Sequence, residues 1–190
     1  MSQNYKNLFL LKNNLTFLNH GSFGACPNTV FKSYQDWQLK LESQPVAFLD
    51  QSRDFNQHMK NPRIQLAKEL NVKANDLVGV VNATAGLNAV AQSISLKEGD
   101  EILTSDHEYG ALEKTWEYVA KTKKAKIVEV KVPIPLLSEN QFVEAFKNKI
   151  NKKTKILFIS HITSPTDLVF PLKKLIKEAN KRGIISIIDG

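Results

Sequence analysis

Val78-Gly79-Val80-Val81-Asn82-Ala83-Thr84-Ala85-Gly86-Leu87-Asn88-Ala89-Val90 is the stretch whose reading decides the fold. Val78 to Val81 is a short apolar run rich in β-branched residues, the pattern of a buried strand. The chain then turns through small polar residues, and Leu87, Val90, Ala91 and Ile94 recur at the spacing of one helix face. The reading is strand, tight turn, helix, with Ala83, Thr84, Ala85 and Gly86 at the helix start. Small side chains there let a ligand approach the backbone. The first helical N–H groups have no intrahelical partner and the helix dipole is positive at that end, so a phosphate fits, with the Thr84 hydroxyl adding a hydrogen bond. The same residues also read as a plain helix start capped by Asn82 or Thr84.

Working outward, the rhythm stays regular from Asp76 onward. The spacing predicts strands at 78–81, 101–104, 126–132, 155–160 and 184–188, and helices at 85–95, 110–121, 139–150 and 171–182. Near-continuous apolar strands alternating with amphipathic helices imply an α/β fold, a three-layer sandwich around a mainly parallel sheet. Ligands in such folds sit beyond the carboxyl ends of the strands. Those ends carry Asn82, Ala83 and Thr84; then Ser105, Asp106, His107, Glu108 and Tyr109; then Ser160, His161, Ile162, Thr163 and Ser164; and finally Asp189. Neither a G-x-G-x-x-G nor a P-loop pattern is present, so dinucleotide and nucleoside triphosphate binding lose their main support.

Before residue 76 the signals differ. Residues 13–19 read as a short edge segment running into a turn at His20-Gly21-Ser22-Phe23-Gly24. A helix from Asn28 to about Glu42 follows, then a loop at 46–52, then a helical stretch ending near Leu70. Pro62 predicts a break or kink in that stretch. The organisation is therefore an N-terminal segment, 1–75, and an α/β region, 76–190.

Composition bounds the function classes. The 190 residues are 42% hydrophobic and 24% charged, the balance of a globular chain with its own core. No apolar run reaches membrane-spanning length, and the apolar patch near the N-terminus is too short for a signal peptide core. One cysteine, Cys26, excludes an internal disulfide framework, and a cytoplasmic location is the expectation. The four histidines and Cys26 show no metal-ligand spacing, so no metal is expected. The net charge is +7, with lysine clusters at 121–126, 151–155 and 173–182. These fall on polar helix sides and loop edges without interleaved aromatics, which reads as neither a nucleic-acid nor a membrane partner.

Five pieces in order carry a resemblance: Leu18-Asn19-His20-Gly21-Ser22-Phe23-Gly24, Asn82-Ala83-Thr84-Ala85-Gly86-Leu87-Asn88, Asp106-His107-Glu108-Tyr109-Gly110-Ala111, Ser160-His161-Ile162-Thr163-Ser164-Pro165-Thr166 and Ile188-Asp189-Gly190. Together they resemble the class V aminotransferases, pyridoxal phosphate enzymes of fold type I, in the branch with isopenicillin N epimerase-like and cysteine desulfurase-like members. The resemblance covers essentially the whole chain, as the N-terminal part of such an enzyme with an incomplete large domain.

The resemblance implies a role at each matching position. Ala83 and Thr84 hold the phosphate of pyridoxal 5'-phosphate. Tyr109 lies over its ring, Asp189 pairs with the pyridine nitrogen, and Ser164 or Thr163 lies near the phenolic oxygen. Related desulfurases carry Asn where this chain has Ser164. His20, Gly21 and Ser22 resemble the segment that lines the substrate entrance, for an amino-acid substrate. The lysine that forms a Schiff base in this family has no counterpart in the chain, so no catalytic residue is assigned and these 190 residues alone are expected to be inactive. The intact protein is expected to be a homodimer, with epimerase, aminotransferase or lyase chemistry left open. The alternative is a non-catalytic remnant of this fold that binds a ligand or a partner.

Overall fold

Three apolar runs of five residues and one of seven pair into a single parallel sheet. They are β1 (Glu101–Ser105), β2 (Lys126–Val130), β3 (Thr154–Ser160) and β4 (Ile185–Asp189), in the order β2-β1-β3-β4. Residues 5–190 are described in this computed structural model, apart from the Ser22 side chain. Along β3 the side chains alternate between two cores, as period-two geometry requires. Ile156 and Phe158 face one layer, Leu157 and Ile159 the other, and all four are essentially inaccessible to solvent.

The helices follow from the strand order. They are α5 (Ala83–Ser93), α6 (Gly110–Lys123), α7 (Glu139–Lys147) and α8 (Leu172–Lys181), numbered after four helices nearer the N-terminus. The path leaves β1 for β2 in one direction, then returns past β1 to β3 and on to β4. With right-handed crossovers, that reversal puts α6 on one face of the sheet and α7 and α8 on the other. One core joins Ile102, Ile156 and Phe158 to Ala91 of α5 and to Leu112 and Trp116 of α6. The other joins Leu103, Leu157 and Ile159 to Phe142 and Phe146 of α7 and Leu175 of α8. The reversal also creates a switch point between β1 and β3, where crossovers depart in opposite directions, the place where ligands sit in open sheets of this kind.

The chain divides into two compact units, Met1–Val78 and Gly79–Gly190. The first is helical: α1 (His20–Phe23), α2 (Asn28–Ser43), α3 (Pro45–Leu49) and α4 (Phe55–Leu70). Trp37 of α2 packs edge-on against Phe48 of α3 and His58 of α4, with ring centroids 5.8 and 5.0 Å apart.

Several expectations are corrected. Val78–Val81 is irregular, with a bend at Val81, and pairs with no strand; Val78 is 82% and Val81 89% exposed. The run has the composition of a strand, but neither edge of the sheet receives it. The segment at 13–19 is likewise not a strand. The His20–Gly24 turn is instead a four-residue helix. The loop expected at 46–52 holds α3, where Pro45 occupies the first helical position, whose N–H would be unpaired in any case. Pro62 does not interrupt α4. It deletes one rung of the ladder, while His58 packed on Trp37 and Phe48 before it, and buried Ala67 beyond it, hold both halves in place.

Candidate functional site

At the start of α5 the backbone is organised by Asn82. Its extended conformation places Oδ1 to accept the Ala85 N–H at 2.8 Å, and its carbonyl accepts the Gly86 N–H at 3.1 Å. The first two helical N–H groups, those of Ala83 and Thr84, have no acceptor among the described residues. Asn82 is therefore the cap, and the cap leaves the Ala83 and Thr84 amides open. Gly86 lies close to Val80: a Cβ there would sit 3.2 Å from Val80 Cγ2, a tight contact that the valine side chain would have to yield to. Asn88 fixes the turn in the second unit by donating to the Thr84 carbonyl at 2.9 Å and accepting the Thr115 hydroxyl of α6 at 3.1 Å.

At the switch point, Glu108 bridges the ends of β1 and β3. One carboxylate oxygen accepts from the Ser105 hydroxyl, the other from the Ser160 N–H at 2.8 Å and the Ser160 hydroxyl at 2.6 Å. Ser160 pairs in register with Asp189. The Ser105–Glu108–Ser160 network thus fixes where Tyr109 and Asp189 emerge. Burial raises the Glu108 pKa from its ordinary value, opposed by the hydrogen bonds from Ser105 and Ser160.

Beyond β3, residues 161–170 fold back on themselves. Ile162 bridges Val169, and the Phe170 N–H donates to the His161 carbonyl at 2.9 Å. Thr163 is buried, and its hydroxyl accepts the Leu168 N–H at 2.9 Å and meets the Thr166 hydroxyl at 2.8 Å. Ser164, next to it, is exposed. His107 is buried against this turn, with Nδ1 2.8 Å from the Thr166 hydroxyl and the ring against Phe170. Asp106 accepts the Val132 N–H at 2.9 Å, tying the β1 end to the segment after β2.

Asp189 ends β4 half-buried. Its backbone carbonyl accepts the His161 N–H at 2.7 Å, but its carboxylate has no hydrogen-bond or ion-pair partner among the described residues. Burial raises its pKa. Tyr109, directly before α6, is exposed at the same end of the sheet.

Tyr109, Thr163, Ser164 and Asp189 therefore all lie at the carboxyl ends of β1, β3 and β4, while Ala83 and Thr84 open the helix that packs beside α6. His20 and Gly21 belong to the first unit, where the His20 ring packs 4.8 Å from Phe17 and its Nδ1 accepts the Ala25 N–H at 3.4 Å. The Ser22 side chain lies outside the described residues. Sequence reasoning missed the supporting roles of Glu108, Ser105, Thr166 and Asn88. A carboxylate three residues after a strand-end serine is the one local signal for Glu108; its Ser160 partner is 52 residues away.

The family profile for Aminotransferase class-V matches residues 19–190. The chain is 35% identical over 179 residues to isopenicillin N epimerase of Amycolatopsis lactamdurans, covering 93% of this chain and 44% of that enzyme. It is 26% identical over 181 residues to a probable chloroplastic L-cysteine desulfhydrase of Arabidopsis thaliana, covering 88% of this chain and 38% of the other. The chain thus spans less than half the length of these curated relatives. Among solved structures, a mutant of C-DES with glycine covalently linked to its PLP cofactor superposes with a TM-score of 0.85 at 21% identity, covering 97% of this chain and 49% of the other. A cysteine desulfurase from Escherichia coli superposes with a TM-score of 0.81 at 22% identity, covering 98% and 47%. These two likenesses establish the fold, an α/β arrangement shared with about half of each neighbour. No helix among the described residues is long and apolar enough to cross a membrane.

Proposed function

This chain belongs to the class V aminotransferase family, and from that premise we propose that the carboxyl ends of its strands hold pyridoxal 5'-phosphate as part of an enzyme acting on an amino acid. The carrying observation is the Asp189 carboxylate, half-buried and without a partner among the described residues. A carboxylate in that setting calls for a cationic N–H donor, and a protonated pyridine nitrogen is one. The second support is the pair of open amides at Ala83 and Thr84, a fit for a phosphate dianion at a helix of eleven residues.

The side chains then divide the work. Ala83, Thr84 and the Thr84 hydroxyl hold the anionic end. Tyr109 supplies aromatic area for the ring. Asp189 holds a proton on the ring nitrogen. Ser164, whose exposed hydroxyl has no partner among the described residues where that of Thr163 is engaged within its own turn, is assigned to the ring oxygen. His20, Gly21 and Ser22 are assigned to the substrate entrance. When bound, the cofactor supplies an electron-accepting ring that stabilises negative charge at a substrate α-carbon, which serves epimerisation, transamination and elimination alike. The relatives' names span epimerase and desulfhydrase, and the intact protein is assigned to that range, as a homodimer. The 190 residues alone are assigned non-covalent binding without turnover.

The test is a titration of the chain with pyridoxal 5'-phosphate and with pyridoxal, followed by tryptophan fluorescence. The expected result is saturable binding by the phosphate ester, at least about tenfold weaker binding of pyridoxal, and weakened binding in Asp189→Ala. Equal affinity for the two compounds, or an unchanged Asp189→Ala, overturns the proposal. Turnover of an amino acid by the chain alone contradicts the assignment of inactivity.

A further inference from the structure

Lysine clusters that look scattered along the sequence converge in the fold. Residues 121–126 end α6 and open β2, residues 149–155 lead into β3, Lys181 and Arg182 lead into β4, and Lys97 precedes β1. All therefore sit at the amino ends of the strands, the rim opposite the candidate site. Backbone bonds join these segments: Gly99 N–H to the Lys124 carbonyl at 2.9 Å, Lys126 N–H to the Asp100 carbonyl at 2.8 Å, and Glu101 N–H to the Lys153 carbonyl at 2.8 Å. A surface pocket lined by Asn151, Lys152, Thr154, Lys155, Arg182 and Gly183 connects the starts of β3 and β4.

This rim holds eleven lysine and arginine residues against four carboxylates, Glu98, Asp100, Glu101 and Glu178. Its excess equals the net charge of the whole chain, +7. Glu98 is paired with Lys124 at 3.4 Å and Glu178 with Lys181 at 2.8 Å, while Glu101 accepts from Asn151 at 2.6 Å. Lysines near helix C-termini are favoured by the dipole, which accounts for one or so per helix. The clusters follow the ends of α6, α7 and α8, too few helices to account for eleven cations.

We propose that this rim binds the phosphate backbone of duplex nucleic acid, independently of base sequence. The four strands, about 4.8 Å apart, spread the charge over roughly 15 Å. A duplex presents about nine phosphates over that length, at one charge per ~1.7 Å. The rim segments 97–101, 121–127, 149–155 and 181–185 contain no aromatic residue, so base stacking has no platform. Ile127 and Ile185 are their only exposed large apolar side chains, too little for the apolar core of a protein interface or for insertion into a bilayer. The proposal does not depend on the cofactor reading.

The test is anisotropy of a labelled duplex titrated with the chain at salt between about 50 and about 200 mM. Expected is binding whose logarithm falls with the logarithm of salt concentration with a slope of about −4. Lys152→Ala/Lys155→Ala/Arg182→Ala should lower the magnitude of that slope by about 2, near 0.9 for each of roughly two phosphates no longer neutralised. Lys121→Ala/Lys123→Ala/Lys126→Ala should do the same. Lys32→Ala/Lys60→Ala/Lys68→Ala, on exposed positions of the first unit, should leave the slope unchanged. No binding at low salt, slopes unchanged in both rim variants, or an equal loss in the first-unit variant overturns the proposal. Competition by polyglutamate as effective as by unlabelled duplex also overturns it, and would make the rim a surface for acidic protein.

Discussion

Two runs rich in apolar, β-branched residues, Thr154–Ser160 and Val78–Val81, end up in opposite environments. The first lies between β1 and β4, hydrogen-bonded on both sides, with five consecutive residues from Ile156 to Ser160 buried. The second is irregular, unpaired and largely exposed. An apolar, β-branched run can form a strand, but neighbours on its edges and a layer over its faces make it one. The difference also separates two functional features. Glu108, Ser160 and Asp189 are held by a finished part of the sheet, whereas the turn proposed to bind phosphate follows a segment that no strand supports and depends on Asn82 and Asn88 for its shape.

The largest expected effect comes from cutting into each run. Leu157→Ala should cost about 3–4 kcal/mol by leaving a cavity in a closed core, while Val81→Ala should change stability by no more than about 0.5 kcal/mol. Denaturant midpoints decide it, and a large loss at Val81 would mean that the run is packed after all. Next is Glu108→Ala, which leaves two serine hydroxyls and one N–H unpaired at the junction of β1 and β3 and should cost about 2–3 kcal/mol. Glu108→Gln keeps one acceptor and offers an N–H to Ser105, so its cost should stay below about 1 kcal/mol. At the unsupported turn, Asn82→Ala should cost about 1 kcal/mol through the missing cap, read as a shift in melting temperature.

The smallest effect is in the pH dependence. Burial favours protonated Glu108 in the folded chain, so folding takes up a proton between the ordinary glutamate pKa and the raised one. Stability should fall as pH rises through that window and level off above it. Glu108→Gln should flatten that part of the profile, and an unchanged profile would show that Glu108 is not the group responsible.

The sheet was legible because apolar strands and amphipathic helices alternate so regularly that β1 to β4 fall within two residues of their expected bounds. The places of Asp189 and Tyr109 at the carboxyl rim were legible because Asp189 ends β4 and Tyr109 follows the end of β1 by four residues. The supporting groups were not. His107 reaches Thr166 across 59 residues and Asn88 reaches Thr115 across 27, contacts that exist only once helices and strands are assembled. The proline in α4 misled for a related reason: propensity sees the missing hydrogen bond but not the aromatic packing that holds the helix. The basic rim was likewise invisible as a unit, because its parts are separated by whole helices.

The most direct measurement is the nitrogen-15 chemical shift of ring-labelled pyridoxal 5'-phosphate bound to the chain, compared with Asp189→Asn. A shift typical of a protonated ring nitrogen in the unmodified chain, moving to the neutral value in Asp189→Asn, is the expected result. The same shift in both would contradict the assignment of Asp189 to the ring.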